Sequence, residues 1–147
     1  QLPNGWRVGM DICYDHWVPE IPRVLTLKGA DLILTASAAR PVRKAGWVLF
    51  NQARAMENQT GSAYSNLAGE YYGTQFFGGR MAVGPDGTVT HPMEGTWDTE
   101  GTTYATFKAE DLYGARAAFP QLRDRIPEAY RVLVAPALYS DMDARGW

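Results

Sequence analysis

Cys13 is the only cysteine among 147 residues, and its setting points to chemistry. Residues 7–13 alternate. Val8, Met10 and Ile12 share one face, and Gly9, Asp11 and Cys13 the other, which is the period of a β-strand. The strand gives way to Tyr14-Asp15-His16, and Pro19 suits the first turn of a following helix. In open α/β sheets ligands bind beyond the carboxyl ends of the strands. A thiol at that place is positioned as a nucleophile, with the backbone N–H of Tyr14 next to a developing oxyanion. The plainer reading of a lone cysteine is a small buried hydrophobe. Position alone leaves both readings open.

The other reactive side chains offer less. Cys13, Asp15 and His16 lie within four residues, and the one further histidine is His91, too few ligands for a zinc site. His16 three residues from the thiol is not thereby its base, because such bases are placed by the fold; the plain reading is a loop or surface histidine. Arg54 and Glu57 are spaced to meet on one helix face, worth a few tenths of a kcal/mol as an ordinary ion pair. Asn58 and Asn66 read as capping residues. Tyr71, Tyr72, Phe76 and Phe77 stand among glycines and read as a loop lining a pocket or an interface. Phe77-Gly78-Gly79-Arg80 lacks the lysine of a phosphate loop and the spacing of a dinucleotide site.

These residues need a scaffold. A helix follows the first strand and stops at Gly29. Residues 32–37 form a short apolar run, expected as a buried parallel strand. Val42, Ala45, Leu49, Ala53 and Met56 recur at three- and four-residue intervals and predict an amphipathic helix over 42–58. A third strand follows over 62–66. Strand, helix, strand, helix, strand predicts a parallel sheet. The second half changes character. Gly84-Pro85-Asp86-Gly87 predicts a turn between strands at 81–83 and 88–90. A further strand is expected over 102–107, then a short helix through Leu112, Ala115 and Phe119, then an extended arm from Pro120.

Composition bounds the rest. Hydrophobic residues make up 46% and charged residues 20%, which excludes dominant disorder. The net charge of -2 gives no basic excess for nucleic acid. No run approaches the roughly 20 apolar residues of a membrane span. No basic-then-apolar leader is visible, so the expected compartment is the cytoplasm. The chain begins with Gln1 and enters a core strand after six residues. It is therefore expected to be part of a longer polypeptide.

The order of motifs carries more than any one of them. Val8-Gly9-Met10-Asp11-Ile12-Cys13-Tyr14-Asp15, followed by Pro19-Glu20 and Arg23, resembles the nucleophile segment of the carbon–nitrogen hydrolase (nitrilase) superfamily. Lys28-Gly29-Ala30-Asp31-Leu32-Ile33-Leu34 is similar to the junction that follows it. Ala53-Arg54-Ala55-Met56-Glu57-Asn58, then Asn66, Gly69, Gly78, Pro85-Asp86-Gly87 and the segment from Arg123 to Tyr130 continue in family order. Arg80 departs from the pattern, standing where the family more often has serine.

The resemblance implies an α/β fold, and this chain looks like the carboxyl-terminal half of a four-layer α-β-β-α sandwich. One partial domain over 1–147 is expected, with a tail arm at 131–147. It implies Cys13 as nucleophile and the Tyr14 N–H as oxyanion donor. Asp15, Glu20, Arg54, Glu57 and Asn58 match supporting positions, and His16 and Trp17 are expected at the substrate. The family's catalytic glutamate and lysine lie upstream of the cysteine, and the 12 residues before Cys13 contain neither. The implied reaction is hydrolysis of a small linear amide or ureido group through a thioester, with no metal and no cofactor. The implied partners are a second copy of the chain and the amino-terminal half of the same domain. The alternative is a truncated, non-catalytic homologue that serves as an assembly or binding module.

Overall fold

The structure, a computed structural model, describes residues 1–91 and 99–134. Its centre is a five-stranded sheet of order β1-β2-β3-β6-β7. β1 (Val8–Ile12), β2 (Leu32–Ser37) and β3 (Gly61–Asn66) run parallel, and β6 (Arg80–Val83) and β7 (Val89–His91) join antiparallel to them. The parallel connections are α1 (Glu20–Leu27) and α2 (Lys44–Asn58), as the alternating pattern predicts. Glu20 sits in the first turn of α1, where a carboxylate complements the helix dipole. Gly29 ends that helix at φ +95°, with its N–H on the Thr26 carbonyl.

Register separates two faces. Gly9, Ile33, Ser62 and Val83 form one row across the sheet, and Asp11, Thr35, Tyr64 and Met81 the next row on the same side. Both helices cover this side. Leu25 of α1 packs on Gly9, and Trp47 and Ala55 of α2 join Tyr64, Met81 and Val83 in the main apolar cluster. Trp47 meets the rings of Tyr64 and Phe77 edge-on. The opposite side carries Met10, Leu34, Ala63 and Ala82, and much of it is open. Met10 is 69% exposed and Ile12 65%. The alternation over 7–13 was therefore legible, but its apolar face is the uncovered one.

Four expectations are corrected. Residues 102–107 pair with no strand among the described residues; they run as a strap beside the open face, with the Phe107 ring on Gly61 and the Thr103 hydroxyl accepting from Arg80 Nε. Together with Met10, Leu34, Ala36 and Ala82 they border a groove of about 520 Å³. The stretch expected as a loop is a hairpin, β4 (Ala68–Tyr71) with β5 (Thr74–Phe77). Tyr72 and Gly73 turn it with positive φ at both positions, the two-residue geometry that matches strand twist. The third correction is α2. Its buried residues are Trp47, Asn51, Arg54, Ala55 and Asn58, whereas Val42, Leu49 and Met56 of the apolar stripe face outward. The fourth is the arm. After α3 (Ala109–Ala118) the chain turns and forms a 3-10 helix over Pro127–Val134. The expected tail arm at 131–147 begins inside that helix, and 135–147 lie outside the described residues.

The turn at 84–87 behaves as its sequence promises. The Asp86 carboxylate accepts the Thr88 N–H and hydroxyl, which holds its pKa below the usual 3.8. A depressed carboxylate contributes stability that is fully present above the unfolded value and lost as pH falls through the folded one. Acidification through that lowered value, below 3.8, is expected to free the Thr88 amide. Amide exchange at Thr88, followed against pH, checks this.

Candidate active site

β1 ends at Ile12, and the chain enters a 3-10 turn over Cys13–Trp17. Cys13 opens the turn at φ +51°, a left-handed backbone that costs an L side chain of order 1 kcal/mol. The turn persists because it is tied on both sides. The Ile12 N–H donates to Asp15 Oδ2 at 3.2 Å, and the Val18 N–H to the Asp15 carbonyl at 3.1 Å. Cys13 is half-buried and Tyr14 exposed, both at the carboxyl edge of the sheet. This is where the sequence places the nucleophile.

The second tie comes from α2. The buried Arg54 guanidinium reaches across 38 residues of chain. Its Nε donates to the His16 carbonyl and its Nη2 to the Trp17 carbonyl, each at 3.1 Å. Its Nη1 meets Glu57 Oε1 at 2.9 Å, and the cation lies over the Phe50 ring. One planar fork thus fixes two carbonyls of the turn, a geometry that suits arginine. Asn58 Nδ2 donates to the Arg54 carbonyl at 2.9 Å, and Arg23 Nη2 to the Glu57 carbonyl at 2.7 Å. Burial pulls the Arg23 guanidinium below its ordinary pKa, with Glu57 opposing.

The third tie was not foreseen. His16 is 1% exposed. Its Nδ1–H donates to Asp11 Oδ2 at 2.9 Å, and Asp11 Oδ1 accepts the Thr35 hydroxyl. The imidazole stands edge-on to Tyr64, whose own hydroxyl donates to the Asn51 carbonyl and is pushed to higher pKa by burial. Trp17 packs on Phe50 and Gly46 of α2 with Arg43 over its ring. Of the two residues expected at the substrate, His16 is sealed beneath the turn and Trp17 is half-buried against α2. Cys13, Asp15 and His16 do not converge on a common point either, since Asp15 and His16 each turn to a partner of their own.

This pinned cysteine turn sits inside a match of wider extent. The carbon-nitrogen hydrolase family profile covers residues 1–117. The chain belongs to the carbon-nitrogen hydrolase family.

A citrullinase from Francisella tularensis is 31% identical over 144 residues, covering 87% of this chain and 48% of that protein. A carbon-nitrogen hydrolase from Helicobacter pylori shares the fold, with a TM-score of 0.79 at 24% identity over 89% of this chain and 50% of that one. A variant of the amidase from Nesterenkonia sp. AN1 is 38% identical over 58% of this chain and 33% of that one, with a TM-score of 0.50. Its active-site cysteine carries the acetamide moiety of fluoroacetamide. The chain spans about half the length of the curated relatives it matches.

Within this carbon-nitrogen hydrolase chain, the residues that matched supporting positions divide in two. Asp15, Arg54, Glu57 and Asn58 form one connected set around the turn. Glu20 stands apart, exposed on the outer side of α1 beside Arg23, where it borders a groove with Arg125 and Tyr130. The residues that sequence reasoning missed are Asp11 and Thr35. Asp11 interrupts an otherwise apolar strand on its buried side. An acid there needs a partner, and that was the available signal.

Proposed function

We propose that this chain carries the nucleophile of a cysteine-dependent hydrolase of small linear amides or N-carbamoyl amines. The observation that supports it most is the position of Cys13, left-handed at the head of a turn tied by Asp15, Arg54 and Asp11. The sulfur attacks the carbonyl carbon, and the Tyr14 N–H faces the oxyanion that forms. Ammonia or an amine leaves with a proton, and a thioester remains on Cys13. Water then cleaves it, releasing the acid or carbamate and restoring the thiol. The general base and the charge-stabilising lysine come from the part of the enzyme upstream of this chain. Adding the complete polypeptide to a panel of small amides and N-carbamoyl amines tests this. Ammonia release is expected; a complete polypeptide that hydrolyses none of them overturns the reading.

The remainder of the enzyme packs against the open face of the sheet, where Met10, Ile12 and the strap at 102–107 supply an apolar surface. An outward apolar row serves self-association, formed by Leu49 and Met56 of α2 and by Val42 in the 3-10 turn just before it, all exposed. Leu49→Glu is expected to lower the mass measured by light scattering to that of a smaller assembly. It leaves the melting temperature of the protomer unchanged, because Leu49 is 65% exposed. An unaltered mass counts against that use of the stripe.

A further inference from the structure

We infer that Asp11 and His16 are positioning residues for Cys13: a buried hydrogen bond that closes the nucleophile turn from below. The inference rests on the reading of Cys13 as nucleophile and deepens it.

The pair brackets the cysteine. Asp11 lies two residues before it on β1, and His16 three residues after it in the turn. Both side chains are sealed, at 0% and 1% exposure, and their atoms meet at 2.9 Å. Asp11 points to the helix-covered side of the sheet, so the bond passes beneath the chain and joins the two ends of the bend. The carboxylate is itself anchored, because Thr35 on the neighbouring strand donates to its other oxygen. A five-residue bend is thereby referenced to two strands. Arg54 holds the same His16 from its carbonyl. The ring and the backbone of one residue are thus fixed independently.

The physical case is one of strain and burial. A left-handed Cys13 relaxes to an ordinary conformation unless the surroundings over-determine it. Within this chain the Ile12 and Tyr14 side chains on either side are exposed and lend the turn little packing. The hydrogen bonds below must hold it. A buried carboxylate is also costly without a donor, so it disfavours any arrangement of the turn that withdraws the His16 ring. His16 Nε2 is buried and meets no partner among the described residues, and the ring lies 4.8 Å from that of Tyr64. The ring therefore acts through Nδ1.

Two variants separate a hydrogen-bonding role from a packing role. His16→Asn keeps a donor near the Nδ1 position and loses the ring. His16→Phe keeps the ring and loses the donor. In the complete polypeptide, kcat for the Phe variant is expected to fall tenfold to a hundredfold with KM within about threefold, the scale of a misplaced reacting group. The Asn variant is expected to stay within about threefold of the parent. The rate of iodoacetamide alkylation at Cys13, followed by peptide mass at fixed pH, is expected to fall in the same order. Alkylation needs no turnover. A polypeptide that hydrolyses no amide defeats the functional reading while the alkylation order still decides this one. Equal rates in both variants overturn the inference, as does slowing that tracks the loss of melting temperature or falls harder on the Asn variant. Should His16→Phe not fold, Asp11→Leu, which removes the acceptor at similar shape, is read the same way. Slower alkylation at unchanged melting supports the pair, and the parent rate overturns it.

Discussion

Cys13→Ala is expected to remove amide turnover by roughly a millionfold, the scale on which a hydrolase loses its nucleophile. The argument is chemical because the substitution is structurally quiet. Alanine pays the same backbone cost at φ +51° as cysteine does, so the strain of the turn is unchanged. The thiol is half-buried and makes no hydrogen bond among the described residues; the ties belong to Asp11, Asp15 and Arg54. Stability is therefore expected to stay within about 0.5 kcal/mol of the parent, as for substitutions away from the core. Substrate binding persists, because the groups around the sulfur remain. Measured kcat and a thermal melt on the same preparation check both halves. Retained turnover in Cys13→Ala contradicts the mechanism outright.

Arg54→Ala is expected to be the most damaging substitution that does not touch the reacting atoms. The side chain is 5% exposed and serves three acceptors at once. Its loss takes the guanidinium from the His16 and Trp17 carbonyls and from Glu57. Glu57 is 35% exposed and returns to water, so the expected loss of stability is that of the two carbonyl bonds, each about 1.5–3 kcal/mol for a charged donor. The turn that presents Cys13 loses one of its three ties, so kcat is expected to fall as well. Lysine is not a remedy. An ammonium has no planar fork to meet two carbonyls and a carboxylate together, so Arg54→Lys recovers only part of the loss. Chemical denaturation of the three proteins gives the comparison. An Arg54→Ala protein as stable as the parent overturns the role assigned to this guanidinium.

Much of this was legible in the sequence, and the failures have physical causes. Alternation over 7–13, the glycine after α1 and the proline-glycine turn at 84–87 are local signals, and local geometry followed them. The cysteine turn was legible because a strand, a polar break and a proline must occur in that order for it to form. The α2 stripe misled, because helical periodicity reports an apolar face without saying what covers it. Here the sheet-facing side is built from Trp47 and Ala55 together with Asn51, Arg54 and Asn58; Arg54 donates to the His16 and Trp17 carbonyls and Asn58 to the Arg54 carbonyl. The hairpin at 68–77 escaped because Tyr72 takes a conformation that its residue type does not advertise. His16 read as a loop residue for a related reason. Its partner Asp11 is five positions away and becomes a neighbour only once the turn has closed.

The central claim is that Cys13 carries the acyl group. The direct measurement is a rapid acid quench of the complete polypeptide during turnover of a small amide, followed by peptide mass analysis. The account predicts a mass increase equal to the acyl group on the peptide containing Cys13, removed by hydroxylamine as a thioester is. Turnover that proceeds with no adduct on that peptide, or with the adduct on another residue, contradicts it.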